Sequence, residues 1–239
     1  MKKLIKSLMA LTPYRIVRDH GANRFHAIEP CLRMLKARGF APRVVIDCGA
    51  HVGSFSLTTR SIFAEATFHL IEPQPACGNA LQAVCNATPG FVFHDCALAD
   101  RPGRVELAVM DEATAGAHIA VSGENAVSVS AKTLDGLFSF VTPKDRAFLK
   151  LDLQGYELHA LRGASRLLRS VEVVLTEVSF YAQAYEPPIA ALVAFLSEHG
   201  FALYDIASLA SRARDGRPRQ GDFVFVRNGS PLAADTRWD

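Results

Sequence analysis

The sequence is short of most features that would commit it to a class at once. Its five cysteines, at 31, 48, 77, 85 and 96, form no C-x-x-C pair and are odd in number. Neither a disulfide framework nor a zinc cluster is legible from them. Cys48 and Cys96 stand at the ends of apolar runs and read as small buried hydrophobes, so a reducing, cytoplasmic setting is expected. No apolar stretch approaches the ~20 residues of a membrane span. Excess charge of one sign is lacking too: 26 basic and 24 acidic residues leave a net +2. A protein that coats nucleic acid would be clearly basic. There are no internal repeats, no low-complexity tracts and no credible linker. What remains is a 239-residue chain, 49% hydrophobic and 21% charged, which suits one large α/β domain better than two small ones.

Residues 1–11 carry lysines at 2, 3 and 6 and place Leu4, Leu8 and Leu11 on one helical face. Lys6, followed by Pro13, Arg15 and Arg18, spoils the pattern of a secretion signal. The segment reads as a helix lying on the domain; a weak peripheral contact with a membrane surface is the alternative. Residues 1–40 are accordingly expected to be a helical addition to a domain over 41–239.

From residue 43 short β-rich runs alternate with helical patterns. Strands are expected at 43–48, 67–71, 91–95, 147–151 and 171–176, with helices at 54–63, 76–86 and 188–199. Leu158, Leu161, Ser165 and Leu168 recur at helical spacing. Residues 104–110 and 125–131 alternate differently and suggest an antiparallel hairpin inserted between the core units, with Gly116 and Gly123 in its loop. Residues 201–206 and 223–226 are two strands with no helix between them, an antiparallel pair for one sheet edge. The expected fold is a single doubly wound α/β domain of Rossmann-like form, its mostly parallel seven-stranded sheet ending in that pair.

The chemistry is expected at the carboxyl ends of these strands. Asp47-Cys48-Gly49-Ala50-His51-Val52-Gly53 turns strand one into a helix. Its Asp-x-Gly-x-x-x-Gly spacing differs from the Gly-x-Gly-x-x-G of a dinucleotide pyrophosphate site. An acid before the first glycine would repel a pyrophosphate, but suits a ligand bearing a sulfonium and an ammonium. Glu72 ends strand two, where a carboxylate can accept both ribose hydroxyls. Asp95, with Cys96 and Ala97, follows strand three and is placed for an adenine edge. Asp152 follows strand four, and Glu177 ends strand five.

These stretches resemble the FkbM-type family of S-adenosylmethionine-dependent methyltransferases over roughly residues 43–206. The resemblance rests on Asp47 to Gly53, Glu72-Pro73, Thr133-Leu134-Asp135 and, most specifically, Lys150-Leu151-Asp152-Leu153-Gln154-Gly155-Tyr156-Glu157 through Gly163-Ala164. Glu177-Val178-Ser179-Phe180 and Tyr185-Glu186 are similar to its next block. His51 stands where the family usually has asparagine; its imidazole is expected to bond the cofactor's amino-acid end. The resemblance implies S-adenosyl-L-methionine as cofactor and methyl transfer, usually to oxygen, on a glycan or other small molecule. The expected cofactor set is Asp47, Gly49, Ala50, His51, Gly53 and Phe55, then Glu72 and Pro73, then Asp95, Cys96 and Ala97, and Asp152.

Transfer is an in-line displacement, so a base near the acceptor hydroxyl is useful. Asp152 is the first candidate and Glu177 the second. Asp152 also suits capping of the following helix, and Glu157 suits the helix dipole in its first turn. His118 sits in the insertion, a candidate lid over the acceptor pocket, and is read as a substrate contact, the alternative being an exposed loop position. His159 is expected to face solvent. Between 211 and 219 four arginines accompany one acid, a flexible loop or a site for an anionic acceptor, with Arg212 and Arg214 as candidate contacts. No metal spacing is visible. The competing readings are a nucleic-acid methyltransferase, a nicotinamide oxidoreductase and a non-catalytic cofactor-binding scaffold. The first lacks an Asn-Pro-Pro-Tyr or Asp-Pro-Pro-Tyr segment for an extruded base, and nucleic acid is not an expected partner.

Overall fold

β-Branched and aromatic runs too short for helices supply the strands. In the computed structural model, residues 25–108, 118–120, 126–181, 188–212 and 216–235 are described. In chain order the elements are α1 (Phe25–Ala37), β1 (Val44–Cys48), α2 (Ser54–Arg60), β2 (Thr67–Ile71), α3 (Pro75–Ala87) and β3 (Phe91–His94). Then come β4 (Ala97–Leu98), β5 (Gly103–Ala108), β6 (His118–Ile119), β7 (Ala126–Lys132) and α4 (Leu134–Leu137). The chain finishes with β8 (Ala147–Leu151), α5 (Glu157–Arg162), β9 (Val171–Ser179), α6 (Ile189–Glu198), β10 (Phe201–Arg212) and β11 (Pro218–Arg227).

The main sheet has seven strands in the order β10-β11-β9-β8-β1-β2-β3. The five central and outer strands β3, β2, β1, β8 and β9 are parallel, while β11 is antiparallel to both β9 and β10. β1 and β8 are buried at every position, as strands covered on both faces must be. One face packs Leu134, Phe138, Leu161, Leu192 and Leu196 against Ile46, Leu149 and Val174. The other packs Ile28, Leu32 and Leu35 of α1 with Phe55, Leu81, Val45 and Phe148. The 4–11 helical segment lies outside the described residues.

Several boundaries differ from those expected. α2 stops at Arg60 rather than residue 63. The 158–168 run is two pieces: α5 ends at Arg162, and a short 3-10 turn spans Leu167–Ser170. Gly163 lies between them, where a Cβ would stand 2.3 Å from the Ala99 carbonyl oxygen. Asp135 holds the second piece, accepting from the amides of Arg166 at 3.0 Å and Leu167 at 2.7 Å. Thr133-Leu134-Asp135 and Gly163-Ala164 are thus two halves of one structural joint.

The inserted hairpin is larger than expected. β5 and β7 pair antiparallel, from Gly103 opposite Ala131 to Ala108 opposite Ala126. With β4 and β6 they make a second sheet, ordered β4-β7-β5-β6. The 211–219 connector is strand at both ends: β10 runs to Arg212 and β11 begins at Pro218. The Gln220–Ser179 register brings Gln220 of β11 beside the carboxyl end of β9.

Candidate active site

The sheet changes direction of winding between β1 and β8, and the carboxyl ends at such a switch point form a crevice. Here the turn after β1 touches the turn after β8, with the Asp152 amide donating to the Cys48 carbonyl at 3.1 Å. Gly49 has φ +78, and a Cβ on it would stand 1.9 Å from the Asp152 carbonyl oxygen. The first motif glycine is therefore required by the neighbouring backbone as well as by its own conformation.

A cavity of about 410 Å³ opens above these ends. The β1 turn lines it with Gly49, Ala50, His51 and Phe55, and the β2 end with Glu72 and Pro73. Cys96 and Ala97, then Asp152, Gln154, Tyr156 and Glu177, continue the wall. From the small sheet come Leu107, His118 and Ile119. His118 is buried rather than in an exposed loop, and sits opposite Ala108 in the β5–β6 pair.

Three expected cofactor residues do not line this cavity. Asp47 is 0% exposed; Ser56 Oγ donates to its Oδ2 at 2.7 Å and Lys150 Nζ lies 2.9 Å from its Oδ1. Its charge is matched inside the protein. Gly53, with φ +82, serves as the N-cap of α2. Asp95 is exposed beyond β3, because the chain reverses into β4 and presents Cys96 and Ala97 instead. The Arg212 side chain and all of Arg214 lie outside the described residues.

Glu72 is buried, which raises its pKa, while the His51 and Gln74 amides that it accepts favour the ionised form. Those bonds measure 2.8 and 3.0 Å. A carboxylate has about four acceptor positions, so two amides leave capacity for a diol. His51 adopts φ +49, a left-handed conformation in which Asn and His are both enriched. The backbone thus accounts for histidine at the family's asparagine position. Cys96 is buried, and its thiol is pushed up to about 11, first by desolvation, so it stays protonated near neutrality.

Lys150 is the residue that the sequence reading quoted but gave no role. It is buried in β8, donates to the Gly49 carbonyl at 2.8 Å and to Cys48 at 3.3 Å, and lies 3.7 Å from Asp152 Oδ2. One ammonium ties Asp47, the glycine turn and Asp152 together. A lone lysine inside the apolar run Phe148-Leu149-Lys150-Leu151 was its signal, since buried charges need partners.

The turn after β8 is held by Glu157, which accepts from the amides of Leu153 at 2.7 Å and Gly155 at 3.3 Å. Burial pushes its pKa up to about 7. His159 is half-buried and stacks on Tyr156 with centroids 4.2 Å apart, rather than facing solvent alone. Gln154 Nε2 donates to Asp152 Oδ1 at 2.9 Å and to Glu177 Oε2 at 3.3 Å. Gln220 of β11 donates to Glu177 Oε1 at 2.5 Å. No sequence spacing joins Gln220 to this site; the β9–β11 register does.

A family model for the methyltransferase FkbM domain matches residues 47–203, more than half of the chain. The chain belongs to this family. It is therefore an S-adenosylmethionine-dependent methyltransferase. The solved bifunctional kinase-methyltransferase WbdD aligns with TM-score 0.50 and 16% identity, covering 94% of this chain and 46% of that one. This chain thus spans about half the length of WbdD. A Burkholderia thailandensis 1,6-didemethyltoxoflavin-N1-methyltransferase aligns at 0.46 and 12%, covering 87% and 80%. A Geobacter metallireducens precorrin-6y C5,15-methyltransferase aligns at 0.47 and 13%, covering 82% and 85%. No curated protein matches the sequence. Among the described residues no helix is long and apolar enough to cross a membrane, and no group of three or more His, Cys, Asp or Glu could hold a metal.

Proposed function

We propose that the protein is an O-methyltransferase acting on a small-molecule or glycan intermediate that carries an anionic group. The observation that carries this reading is the pairing of Asp152 and Glu177 across Gln154, on the cavity wall that Gly49, Ala50, His51 and Glu72 also line. S-adenosylmethionine, when bound, supplies an electrophilic methyl group on a cationic sulfur. Glu72 would accept the ribose hydroxyls, Cys96 and Ala97 would underlie the adenine, and the β1 turn would meet the amino-acid end. Asp152 would take the proton of the acceptor hydroxyl as its oxygen attacks, and Glu177 would orient that hydroxyl. Gln220, on the strand that follows the arginine-rich connector in the chain, lines the cavity, and Arg212 and Arg214 are the candidate contacts for the anionic group. The domain carrying this activity is assigned to residues 41–239, with 1–40 as an addition.

Calorimetry with S-adenosylhomocysteine tests the cofactor assignment, and Glu72→Ala should abolish detectable binding. Labelled S-adenosylmethionine incubated with the polar metabolites of native cells, followed by mass spectrometry, tests the acceptor. Asp152→Asn should lower label transfer by about 10²- to 10⁴-fold. Label on nitrogen or carbon in the product would overturn O-methylation.

A further inference from the structure

The cavity wall between Asp152 and Glu177 is built from two carboxylates and two carboxamides. A carboxylate only accepts hydrogen bonds, whereas a carboxamide has one accepting oxygen and two N–H groups. Gln154 spends its NH₂ group on both acids, and Gln220 directs its own to the other oxygen of Glu177. That amide orientation is imposed by the acids, since turning either amide would set oxygen against oxygen. Gln154 holds φ +50, and its neighbour Gly155 has φ +97. A glutamine held in the left-handed region beside a cavity is maintained only if its surroundings fix it. Here they do: Glu157 binds the amides on both sides of Gln154, at Leu153 and Gly155.

We infer that Gln154 and Gln220 are positioning residues that hold Asp152 and Glu177 side by side as hydrogen-bond acceptors, so that the reacting end of the methyl acceptor is rich in hydrogen-bond donors, a vicinal diol being the best match. This rests on the methyl-transfer reading above. Because the amide N–H groups face the acids, this part of the wall offers an incoming group chiefly oxygen acceptors. A hydroxyl pair can donate to both acids, whereas a carbonyl or carboxylate would meet them oxygen to oxygen.

Side-chain amide NMR of ¹⁵N-glutamine-labelled protein, saturated with S-adenosylhomocysteine, tests the clamp without a known acceptor. Glu177→Gln should shift both the Gln154 and Gln220 NH₂ resonances, and Asp152→Asn should shift that of Gln154 alone. Gln154→Asn keeps a residue that tolerates left-handed backbone but shortens its reach. It should lower label transfer from S-adenosylmethionine to the polar metabolite fraction at least tenfold, with S-adenosylhomocysteine affinity within threefold of wild type. In Gln154→Glu the lost donor returns only when the new acid is protonated, so transfer should recover relative to wild type as pH falls. Saturation-transfer NMR with methyl glycosides bearing vicinal hydroxyls should show contact, and the corresponding permethylated glycosides should not. Unmoved glutamine resonances in both acid variants, or equal contact by permethylated sugars, would overturn the inference. If cofactor affinity survives those results, the clamp fails alone. Loss of S-adenosylhomocysteine binding by folded wild-type protein would instead remove the underlying reading.

Discussion

After β1 the chain turns on backbone, and after β8 it turns on side chains. The first turn has Gly49 pressed against the Asp152 carbonyl, with a second glycine capping α2. Its polar groups are met from outside, by Lys150 and Glu72. The second turn has Gln154 at φ +50 followed by Gly155 at φ +97, fixed from within by Glu157 and linked to β9 and β11 by Gln154 and Gln220. A turn built on glycine fails when a carbon atom is added. A turn built on carboxylates and amides answers instead to charge and pH.

Gly49→Ala should break the contrast most severely. The added methyl would meet the Asp152 carbonyl in a backbone conformation that alanine avoids. A loss of about 3 kcal/mol or more is expected, visible in chemical denaturation together with loss of S-adenosylhomocysteine binding. Glu157→Gln probes the other turn through pH. The folded-state pKa of Glu157 is about 7, above its ordinary 4.5, so between these values the folded state holds more protons than the unfolded state. Wild-type stability from this group is then greatest at low pH and declines as pH rises from about 4.5 to 7. The Gln variant should lose that slope, gaining up to roughly 3 kcal/mol on wild type across the window; a parallel pair of stability curves would contradict it. His51 gives the smallest effect. His51→Asn should stay within about 0.5 kcal/mol of wild type, and His51→Val should cost about 1–3 kcal/mol in thermal unfolding, because a β-branched residue is poorly suited to φ +49.

The same contrast explains what was legible in the sequence. The five parallel strands announced themselves as apolar runs, and glycine at 49 and 53 marked the first turn. The second motif, Lys150 to Ala164, was visible as a pattern, but its roles were not. Lys150 and Glu157 act on backbone carbonyls and amides, which carry no side-chain signature. The burial of Asp47 was not legible, because an acid before a glycine reads as facing a ligand and the lysine paired with it lies 103 positions on. Gln220 meets Glu177 only through strand register. The four-stranded small sheet was partly hidden because β4 and β6 are two residues each, below any readable period.

That small sheet has a consequence for how the molecule can change. It contributes Leu107, His118 and Ile119 to the cavity but joins none of the seven main strands. One anchor is the close approach of Ala99 to Gly163, and another is the alanine-lined contact among Ala97, Ala99 and Ala131. Side chains at Leu107, His118 and Ile119 can therefore change the roof of the cavity while the turns that meet at Gly49 and Asp152 stay where they are. The roof of the cavity is exchangeable and its floor is not, which lets one methyl-transfer centre be fitted to many acceptors.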